Sequence, residues 1–394
     1  MPVIKTETAI IGGGLMGCWT AFHLRRRGHP VIVLEKGVVG AQASGVNYGN
    51  LRLQGRHRGQ IPLSLRAHAQ WENLQSLIGE TCEYQKTGHL YVAKDADQQS
   101  KLEHYAEDGR DHGIDIETVG PADIARRWPW LAGNPVAANY SARDAVANPR
   151  IVTAAVARAA RQLGADIREH TRVTSVEKAA SGFRLTTECG LTIESDMLLN
   201  AAGAWALDIA KVFGETAPMF AAGPPQFVTE PLPYFMTPSV QLVDGTVICR
   251  QIPRGNVIVA GYPRGPSDPI ANRAPVPPAK ILTTMSRLVA LVPALANTQV
   301  IRVWSGIEGY IADMLPVIGP SATTPGLFHA FGFCGHGFQL APGVGEVMSE
   351  LIIDGATPTP LDDFAISRFA DGKTVESWRL RQEFDASFST PTGG

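Results

Sequence analysis

The chain has 394 residues, of which 44% are hydrophobic and only 18% are charged, and its formal net charge is −2. This length predicts two or three domains with a large buried core. A nearly neutral chain gives no electrostatic reason to expect binding to nucleic acid or to an anionic membrane. The five cysteines are scattered and form no CxxC pair, so neither a metal site nor a disulfide framework is expected, and a reducing cytoplasm is the predicted location.

The first 36 residues have a strand, turn, helix and strand pattern. A short apolar strand ends at Ile11, a helix follows a glycine run and ends in "RRRG", and "PVIVLE" is the next apolar strand. Such segments, bounded by glycine, are typical of a βαβ unit. The apolar stretch is too short and too rich in glycine for a signal peptide or a membrane span.

The turn between this strand and helix matches GxGxxG at Gly12, Gly14 and Gly17. In such a turn the first glycine bends the chain, the second admits a pyrophosphate and the third lets helix and strand pack. The helix N-terminus adds free N–H groups and about half a positive charge. Glu35 ends the next strand, where an acid binds a ribose. The pattern therefore predicts a dinucleotide site for FAD or NAD, and Glu35 argues against NADP.

Helical and β patterns alternate in blocks along the rest of the chain. A helix is predicted over 63–79, and another after Asn148 as N-cap, with Pro149 in its first turn. A hairpin turns at Cys189–Gly190, and the strand after it leads into a helix at Ala204. Prolines are dense from 218 to 302, where alternating patterns predict antiparallel strands. The strand "GLFHAFGF" and a helix near Phe338 complete the pattern.

These blocks predict an α/β protein, α+β overall, with a Rossmann-like nucleotide-binding domain interleaved with a mainly antiparallel β domain. The nucleotide-binding domain is assigned to 1–80, 148–217 and 325–365. The substrate-binding domain is assigned to 81–147 and 218–324, and residues 366–394 are predicted to form a C-terminal helix and tail.

Five segments together resemble the D-amino-acid oxidase / sarcosine oxidase family of FAD enzymes, and the resemblance covers most of the chain. They are "TAIIGGGLMGCWTAFHLRRRGHPVIVLEKG", "NAAGAW" at 200–205, "QFVTEPLP" at 226–233, "DMLPVIGP" at 313–320 and "GFCGHGFQLAPGVGEV" at 332–347. Covalent members carry a cysteine shortly before the "PxIG" segment, where this chain has "SGIEGYIADMLPVIG". The resemblance therefore implies non-covalent FAD. The chain looks most similar to the flavin β-subunits of opine oxidases, hydroxyproline dehydrogenases and hydrogen cyanide synthase, which implies a second subunit in a hetero-oligomer.

The resemblance also implies cofactor contacts. Gly12, Gly14 and Gly17 would hold the FAD pyrophosphate, and Glu35 the adenosine ribose. Ser44 would lie beside the pyrophosphate and the flavin. The other expected contacts are Leu15, Met16, Lys36, Gly49, Asn50, Leu51, Val173 (by its backbone, to adenine), Ala202, Gly203, Trp205, Gly332, Gly335, His336, Gly337, Phe338 and Gln339.

The glycine-rich segment near the C-terminus has a physical interpretation of its own. A helix that begins near Phe338 directs free N–H groups toward the pyrimidine edge of a flavin, where reduction places negative charge. Gly332, Gly335 and Gly337 keep this backbone bare. His336 is left open between a chemical role and packing against the flavin.

The substrate carboxylate requires a cation. Where glycine and D-amino-acid oxidases carry an arginine in a "GLRP"-like stretch, this chain has Glu308, and where monomeric sarcosine oxidases carry lysine it has Gln339. Arg52 is therefore the first candidate for the carboxylate, with Arg250 and Arg302 as weaker ones.

Four residues form the predicted catalytic set: Arg52, Glu308, His336 and Gln339. Glu308 is expected to bind a cationic group on a larger substrate, such as the guanidinium of an arginine-derived opine.

The predicted function is FAD-dependent oxidation of the C–N bond of an amino acid or an N-substituted amino acid, such as an opine, hydroxyproline or a similar secondary amine. Hydride passes to flavin N5 and water hydrolyses the imine. Two alternatives stay open: a free-standing D-amino-acid dehydrogenase or oxidase, and a non-catalytic flavin subunit of a larger complex. The electron acceptor is not predicted, and no metal is expected.

Overall fold

The computed structural model describes residues 3–370. The helices of this part are α1 (Leu15–Arg26), α2 (Ala43–Val46), α3 (Ile61–Glu72), α4 (Leu74–Ile78), α5 (Ala96–Asp111), α6 (Pro121–Arg127), α7 (Pro149–Gln162), α8 (Ala206–Val212), α9 (Pro278–Leu291) and α10 (Gly337–Asp354). None of the helices in residues 3–370 is long and apolar enough to cross a bilayer.

The strands follow in chain order. They are β1 (Val3–Ile11), β2 (Val31–Leu34), β3 (Asn50–Leu51), β4 (His89–Ala93), β5 (Glu117–Val119), β6 (Ala137–Ser141), β7 (Ala145–Val146), β8 (Asp166–Arg168), β9 (Val173–Lys178), β10 (Phe183–Thr187), β11 (Thr192–Asn200), β12 (Met219–Ala222), β13 (Gln226–Pro231), β14 (Ser239–Leu242), β15 (Ile248–Gln251), β16 (Asn256–Ala260), β17 (Val300–Trp304), β18 (Glu308–Ile311), β19 (Val317–Pro320) and β20 (Leu327–Phe331).

The first large sheet has the order β19-β20-β11-β1-β2-β8, and the β9–β10 hairpin continues from β11. Strands β20, β11, β1, β2 and β8 are parallel to one another, whereas β19 is antiparallel to β20 and β10 is antiparallel to β11. The carboxyl ends of parallel strands meet at one edge of a sheet, where ligands bind in α/β folds. The segments after β1, β2, β11 and β20 therefore lie along one edge.

Helices α1 and α10, from opposite ends of the chain, pack closely against each other. A Cβ atom on Gly345 of α10 would lie 2.5 Å from Cβ of Trp19, so only glycine allows this approach. Trp19 has no solvent exposure and belongs to the largest apolar cluster, together with residues of α3 and α7. Helices α1 and α10 therefore share one core beside the parallel sheet.

The second large sheet has the order β17-β13-β16-β15-β14-β4-β6-β5. Its pairs are antiparallel except β14 with β4. Its strands come from 89–141 and 226–304, between segments that supply the first sheet. The predicted mixed α/β class is confirmed. The predicted domain boundaries stay predictions, and the strands of the second sheet fall within 81–147 and 218–324.

Three predicted helices differ in detail. The helix predicted over 63–79 is divided at Asn73, whose side chain donates to the carbonyl of Ala69 at 2.8 Å while its backbone leaves the helical region. The helix predicted at Ala204 begins as a 3-10 turn, and α8 starts at Ala206. Of the predicted C-terminal helix and tail, 366–369 form a 3-10 helix, and 371–394 lie outside the described residues.

Candidate functional site

A cavity of about 1100 Å³ lies along the carboxyl edge of the parallel sheet. Its lining includes the segments after β1, β2 and β20 and, from the second sheet, residues such as Gln241 and Ala260. The parallel sheet and the antiparallel sheet therefore both contribute to one elongated space.

The glycine turn after β1 lines this cavity and needs its glycines. Gly12 has a φ of +112°, and a Cβ atom there would lie 2.3 Å from the carbonyl oxygen of Ala201. Helix α1 begins at Leu15, whose backbone N–H donates to Oγ of Ser44 at 2.9 Å. Its N-cap, Gly14, supplies no side chain, and its first turn holds no acidic residue. This helix end therefore presents a positive N-terminus to an anion.

The end of β2 contributes one acid and one base to the cavity. The Glu35 carboxylate accepts hydrogen bonds from the backbone N–H of Gly13 at 2.7 Å and of Gly37 at 2.8 Å. Lys36 places Nζ 3.0 Å from the centre of the Trp205 ring. Burial lowers the pKa of Lys36 to about 8. Glu35 is thus fixed to the glycine turn.

The turn between β20 and α10 forms the other end of the cavity. Gly332 has a φ of +70°, and a Cβ atom there would lie 2.3 Å from Cδ1 of Ile311. Helix α10 begins at Gly337 with no side-chain cap and no acidic residue in its first turn. Helices α1 and α10 therefore both begin at one cavity with N-cap residues that supply no side-chain hydrogen bond, and both present a positive end to it.

Arg52 and His336 meet beside this second turn. Nη2 of Arg52 lies 3.2 Å from Nε2 of His336, and Nδ1 of His336 lies 3.1 Å from Oε1 of Gln60. An arginine only donates, so Nε2 accepts and Nδ1 carries the proton. Burial, and after it the charge of Arg52, holds the pKa of His336 well below its usual range. The imidazole is therefore neutral, and both of its nitrogens are engaged.

Glu308 and Arg264 lie on the other side of the turn. The Glu308 carboxylate accepts from the backbone N–H of Gly335 at 2.6 Å and from the Tyr310 hydroxyl at 2.7 Å. The Arg264 guanidinium lies over the Tyr262 ring, 4.2 Å from its centre, and lines the cavity. The same end of the cavity thus holds cations from two different loops.

A sequence model of the FAD dependent oxidoreductase family (DAO) matches residues 7–351. The chain belongs to this family. It is an FAD-dependent oxidoreductase, as the resemblance predicted.

Three relatives are informative. Glycine oxidase from Geobacillus kaustophilus is 27% identical over 94% of this chain and 99% of its own. The solved L-proline dehydrogenase from P. horikoshii is 26% identical, with a TM-score of 0.87 over 94% of this chain and 99% of its own. Human mitochondrial dimethylglycine dehydrogenase is 25% identical over 99% of this chain, but the match spans only 47% of that protein. The chain thus has about half the length of several dehydrogenases that it matches.

The cavity fits FAD on its own observations. Its volume of about 1100 Å³ lies just above the roughly 300–1000 Å³ of most small-molecule sites, as a long cofactor requires. The bare glycines at Gly12 and Gly14 admit a pyrophosphate to the start of α1, and Glu35 stands beside them. The uncapped start of α10 suits the electron-accepting ring at the other end.

The structure brings most of the predicted site residues of this FAD-dependent oxidoreductase to the cavity wall. Four of them do not line it, namely Gly17, Gly49, Leu51 and Gln339. The lining members are Gly12, Gly14, Leu15, Met16, Glu35, Lys36, Ser44, Asn50, Arg52, Val173, Ala202, Gly203, Trp205, Glu308, Gly332, Gly335, His336, Gly337 and Phe338.

Gln339, which was predicted to be catalytic, does not line the cavity. Its amide accepts from Oγ of Ser64 at 3.0 Å and donates to the carbonyl of Ser64 at 2.9 Å, so it joins α10 to α3. Gln339 is 1% exposed. The turn of α10 directs this side chain away from the cavity, which leaves the predicted catalytic role without geometric support.

The two weaker candidates for binding the substrate carboxylate, Arg250 and Arg302, also lie outside the cavity lining. Arg250 is buried over the Tyr48 ring and donates to the carbonyl of Ala147, and Arg302 is exposed on β17. Sequence reasoning missed Arg56 and Arg264, which both line the cavity. The position of Arg264 just after a strand of the second sheet was the available signal, since loops that follow strands carry many binding residues.

Proposed function

We propose that this FAD-dependent oxidoreductase oxidises the C–N bond of an amino acid or an N-substituted amino acid. The observation that carries the proposal is that two helix N-termini, those of α1 and α10, meet at one cavity with Arg52 and Arg264 at the α10 end. Glycine oxidase and L-proline dehydrogenase, named for a primary and a secondary amino acid, support this substrate class.

FAD, when bound, would supply the acceptor for the hydride that leaves the C–H next to the substrate nitrogen. The start of α1 would hold the pyrophosphate, and Glu35 would hold the ribose. The backbone N–H groups at the start of α10 would stabilise negative charge on the part of the cofactor bound there, because aimed donors are most effective in a dry site.

Arg52 binds the substrate carboxylate, and His336 holds Arg52 in place. Because Nε2 of His336 accepts from Arg52, it has no free lone pair for a substrate proton. His336 is therefore a positioning residue and not a general base in this proposal. Glu308 has two oxygens with about four lone-pair sites, of which Gly335 and Tyr310 use two, so it can still meet a substrate cation.

The finer parts of the proposal rest on the sequence resemblance. We propose that FAD is bound non-covalently, that the substrate is a secondary amine such as an opine or hydroxyproline, and that the protein acts in the cytoplasm with a second subunit in a hetero-oligomer. The absence of a cysteine in "SGIEGYIADMLPVIG" supports the non-covalent cofactor.

One anaerobic series of spectra tests the proposal. The protein is purified with added FAD, and D-amino acids, sarcosine, proline, hydroxyproline and opines are added in turn while flavin absorbance is followed. Bleaching by secondary amines is expected, and flavin released by acid precipitation would be soluble. Bleaching only by simple D-amino acids would favour a free-standing D-amino-acid oxidase or dehydrogenase. Flavin that no amine bleaches would contradict the proposal and favour a non-catalytic subunit.

A further inference from the structure

Four carboxylates line the cavity within residues 3–370, and they differ in what holds them. Glu35 is fixed to the glycine turn before α1 by two backbone N–H groups. Glu188 directly follows β10 and Asp208 belongs to α8, and both are exposed. Glu308, the first residue of β18, contacts the turn before α10. It is therefore the carboxylate of the cavity wall that can act on whatever is bound at the start of α10.

The Glu308 side chain is fixed at this turn from two sides. The backbone N–H of Gly335 donates to one oxygen at 2.6 Å, and the Tyr310 hydroxyl donates to the other at 2.7 Å. Tyr310 lies two residues along the same strand, on the same face of it, and is fully buried. The carboxylate is thus held in the wall and keeps its charge beside the turn.

This carboxylate opposes the positive character of the turn. It engages the backbone N–H of Gly335, so that donor is not available to a ligand. It also places a full negative charge near a helix N-terminus that carries about half a positive charge. Charges in a partly buried wall interact more strongly than charges in water. The turn is therefore less favourable to negative charge on a ligand than its backbone alone would make it.

Two cations flank the same turn and act in the opposite direction. A Cβ atom on Gly335 would lie 3.4 Å from Nη2 of Arg264, and Nη2 of Arg52 lies 3.2 Å from Nε2 of the neutral His336. Arg264 is close enough to Glu308 for the two charges to interact. The electric field at the start of α10 is therefore set by one carboxylate and two guanidiniums.

This field bears on the half of FAD that changes charge. The pyrophosphate is the middle of FAD, and the start of α1 with Glu35 suits the pyrophosphate and the adenosine beyond it. The flavin half would then extend toward the α10 end of the elongated cavity. Reduction of FAD takes up two electrons and one proton and leaves one negative charge on the ring, which nearby charges stabilise or destabilise.

We propose that Glu308 sets the redox potential of the bound FAD and holds it below the value that the turn and the two arginines alone would give. The inference rests on the proposed function for the placement of the flavin ring at the α10 end. A lower potential makes the reduced cofactor a better electron donor. Glu308 would thus favour transfer of electrons to the next acceptor over their capture from the amine.

The midpoint potential of the FAD-loaded protein tests this inference. It is measured without oxygen against a reference dye, during slow reduction by xanthine and xanthine oxidase. Glu308→Gln should favour the reduced cofactor by about tenfold, the ratio between a charge-assisted and a neutral contact, which is about 30 mV for a two-electron couple. Glu308→Asp keeps the charge and should stay within about threefold of the unaltered protein. Arg264→Gln should shift the potential in the opposite direction.

The matched control is Glu188→Gln, which removes the same charge from another part of the cavity wall and should leave the potential unchanged. An unchanged or lower potential in Glu308→Gln would overturn the inference. An equal rise in Glu188→Gln would overturn it too, because the effect would then not be local to the turn. Thermal melting and bound flavin show whether each variant is folded, and Glu308→Met, with a side chain of similar length, serves if the glutamine variant is not.

The outcome is separable from that of the proposed function, because xanthine oxidase reduces the flavin without any amine. Anaerobic bleaching of the unaltered protein by sarcosine and proline is measured in parallel. If an amine bleaches the flavin but Glu308→Gln leaves the potential unchanged, only the redox role of Glu308 fails. If the potential rises as expected but no amine bleaches the flavin, the redox role is supported and the proposed function fails.

Discussion

Replacing Glu308 with glutamine tests how the α10 turn is held and whether this carboxylate meets a cationic substrate. The carboxylate accepts from the backbone N–H of Gly335 at 2.6 Å and from the Tyr310 hydroxyl at 2.7 Å. Glutamine keeps the shape and one acceptor oxygen but removes the charge. Both hydrogen bonds change from charge-assisted to neutral, and the second requires the Tyr310 hydroxyl to accept instead of donate.

The expected loss follows from these two contacts. Hydrogen bonds to charged groups contribute about 1.5–3 kcal/mol and neutral ones about 0.5–1.5 kcal/mol, so Glu308→Gln should reduce the free energy of unfolding by about 2 kcal/mol. In a chain of this size that corresponds to a fall in melting temperature of about 2–4 °C. A substrate with a guanidinium should lose a further charge-assisted contact, which raises its KM by about tenfold.

Thermal melting of the FAD-loaded variant and steady-state kinetics with paired substrates measure the two effects. An arginine-derived opine and an alanine-derived opine differ in the cationic group, so the KM of the second should stay within about threefold. Glu107→Gln on the exposed side of α5 is the matched control. An unchanged KM for the arginine-derived opine would refute the cation-binding role, and an unchanged melting temperature would refute the role in holding the turn.

Three further changes probe separate parts of the molecule. Gly12→Ala should weaken FAD binding by about tenfold or more, because its Cβ would overlap the backbone of Ala201. A flavin fluorescence titration measures this affinity. The control is Gly28→Ala, which has a φ of +77° but open space around it and should retain the cofactor. Burial lowers the pKa of His23 to about 4, so the unfolded chain binds this proton at a higher pH than the folded chain, and the free energy of unfolding falls as the pH drops from about 6.5 toward 4. In urea unfolding, His23→Gln should lose less stability over this pH range than the unaltered protein, by up to about 3 kcal/mol. Identical pH profiles of the two proteins would refute this. Arg52→Gln should weaken binding of (methylthio)acetate, an unreactive thioether with one carboxylate, by about tenfold, while Arg302→Gln on β17 leaves it unchanged; equal effects of the two would contradict the assignment of Arg52.

The cofactor end of the cavity could be predicted because its signals are local. Gly12, Gly14 and Glu35 belong to one βαβ unit, whose spacing fixes where the turn and the acid must lie. The N-cap at Asn148 could also be predicted from the local sequence, and its side chain accepts a hydrogen bond from the backbone N–H of Arg150 at 3.1 Å.

The substrate end could not be predicted in the same way, since its residues come from distant segments. Arg264 reaches the turn at Gly335 only because β16 lies inside the second sheet, and the order of strands in that sheet does not follow from their patterns. The direction of the Gln339 side chain could not be predicted for a related reason. Two residues into α10, its direction depends on the rotation of that helix against α3, where Ser64 satisfies its amide.

The close packing of α1 on α10 has a consequence for synthesis of the chain. Helix α1 is synthesised before α10, but the surface that covers Trp19 includes Gly345, and β20 can join the parallel sheet beside β11 only after all the intervening segments have been made. Until then the apolar side of α1 has no permanent cover, a condition that favours aggregation or chaperone binding. Cofactor capture must also wait, because the ring end of the cavity is built by the start of α10. The nascent protein should therefore acquire its flavin only after α10 has been made.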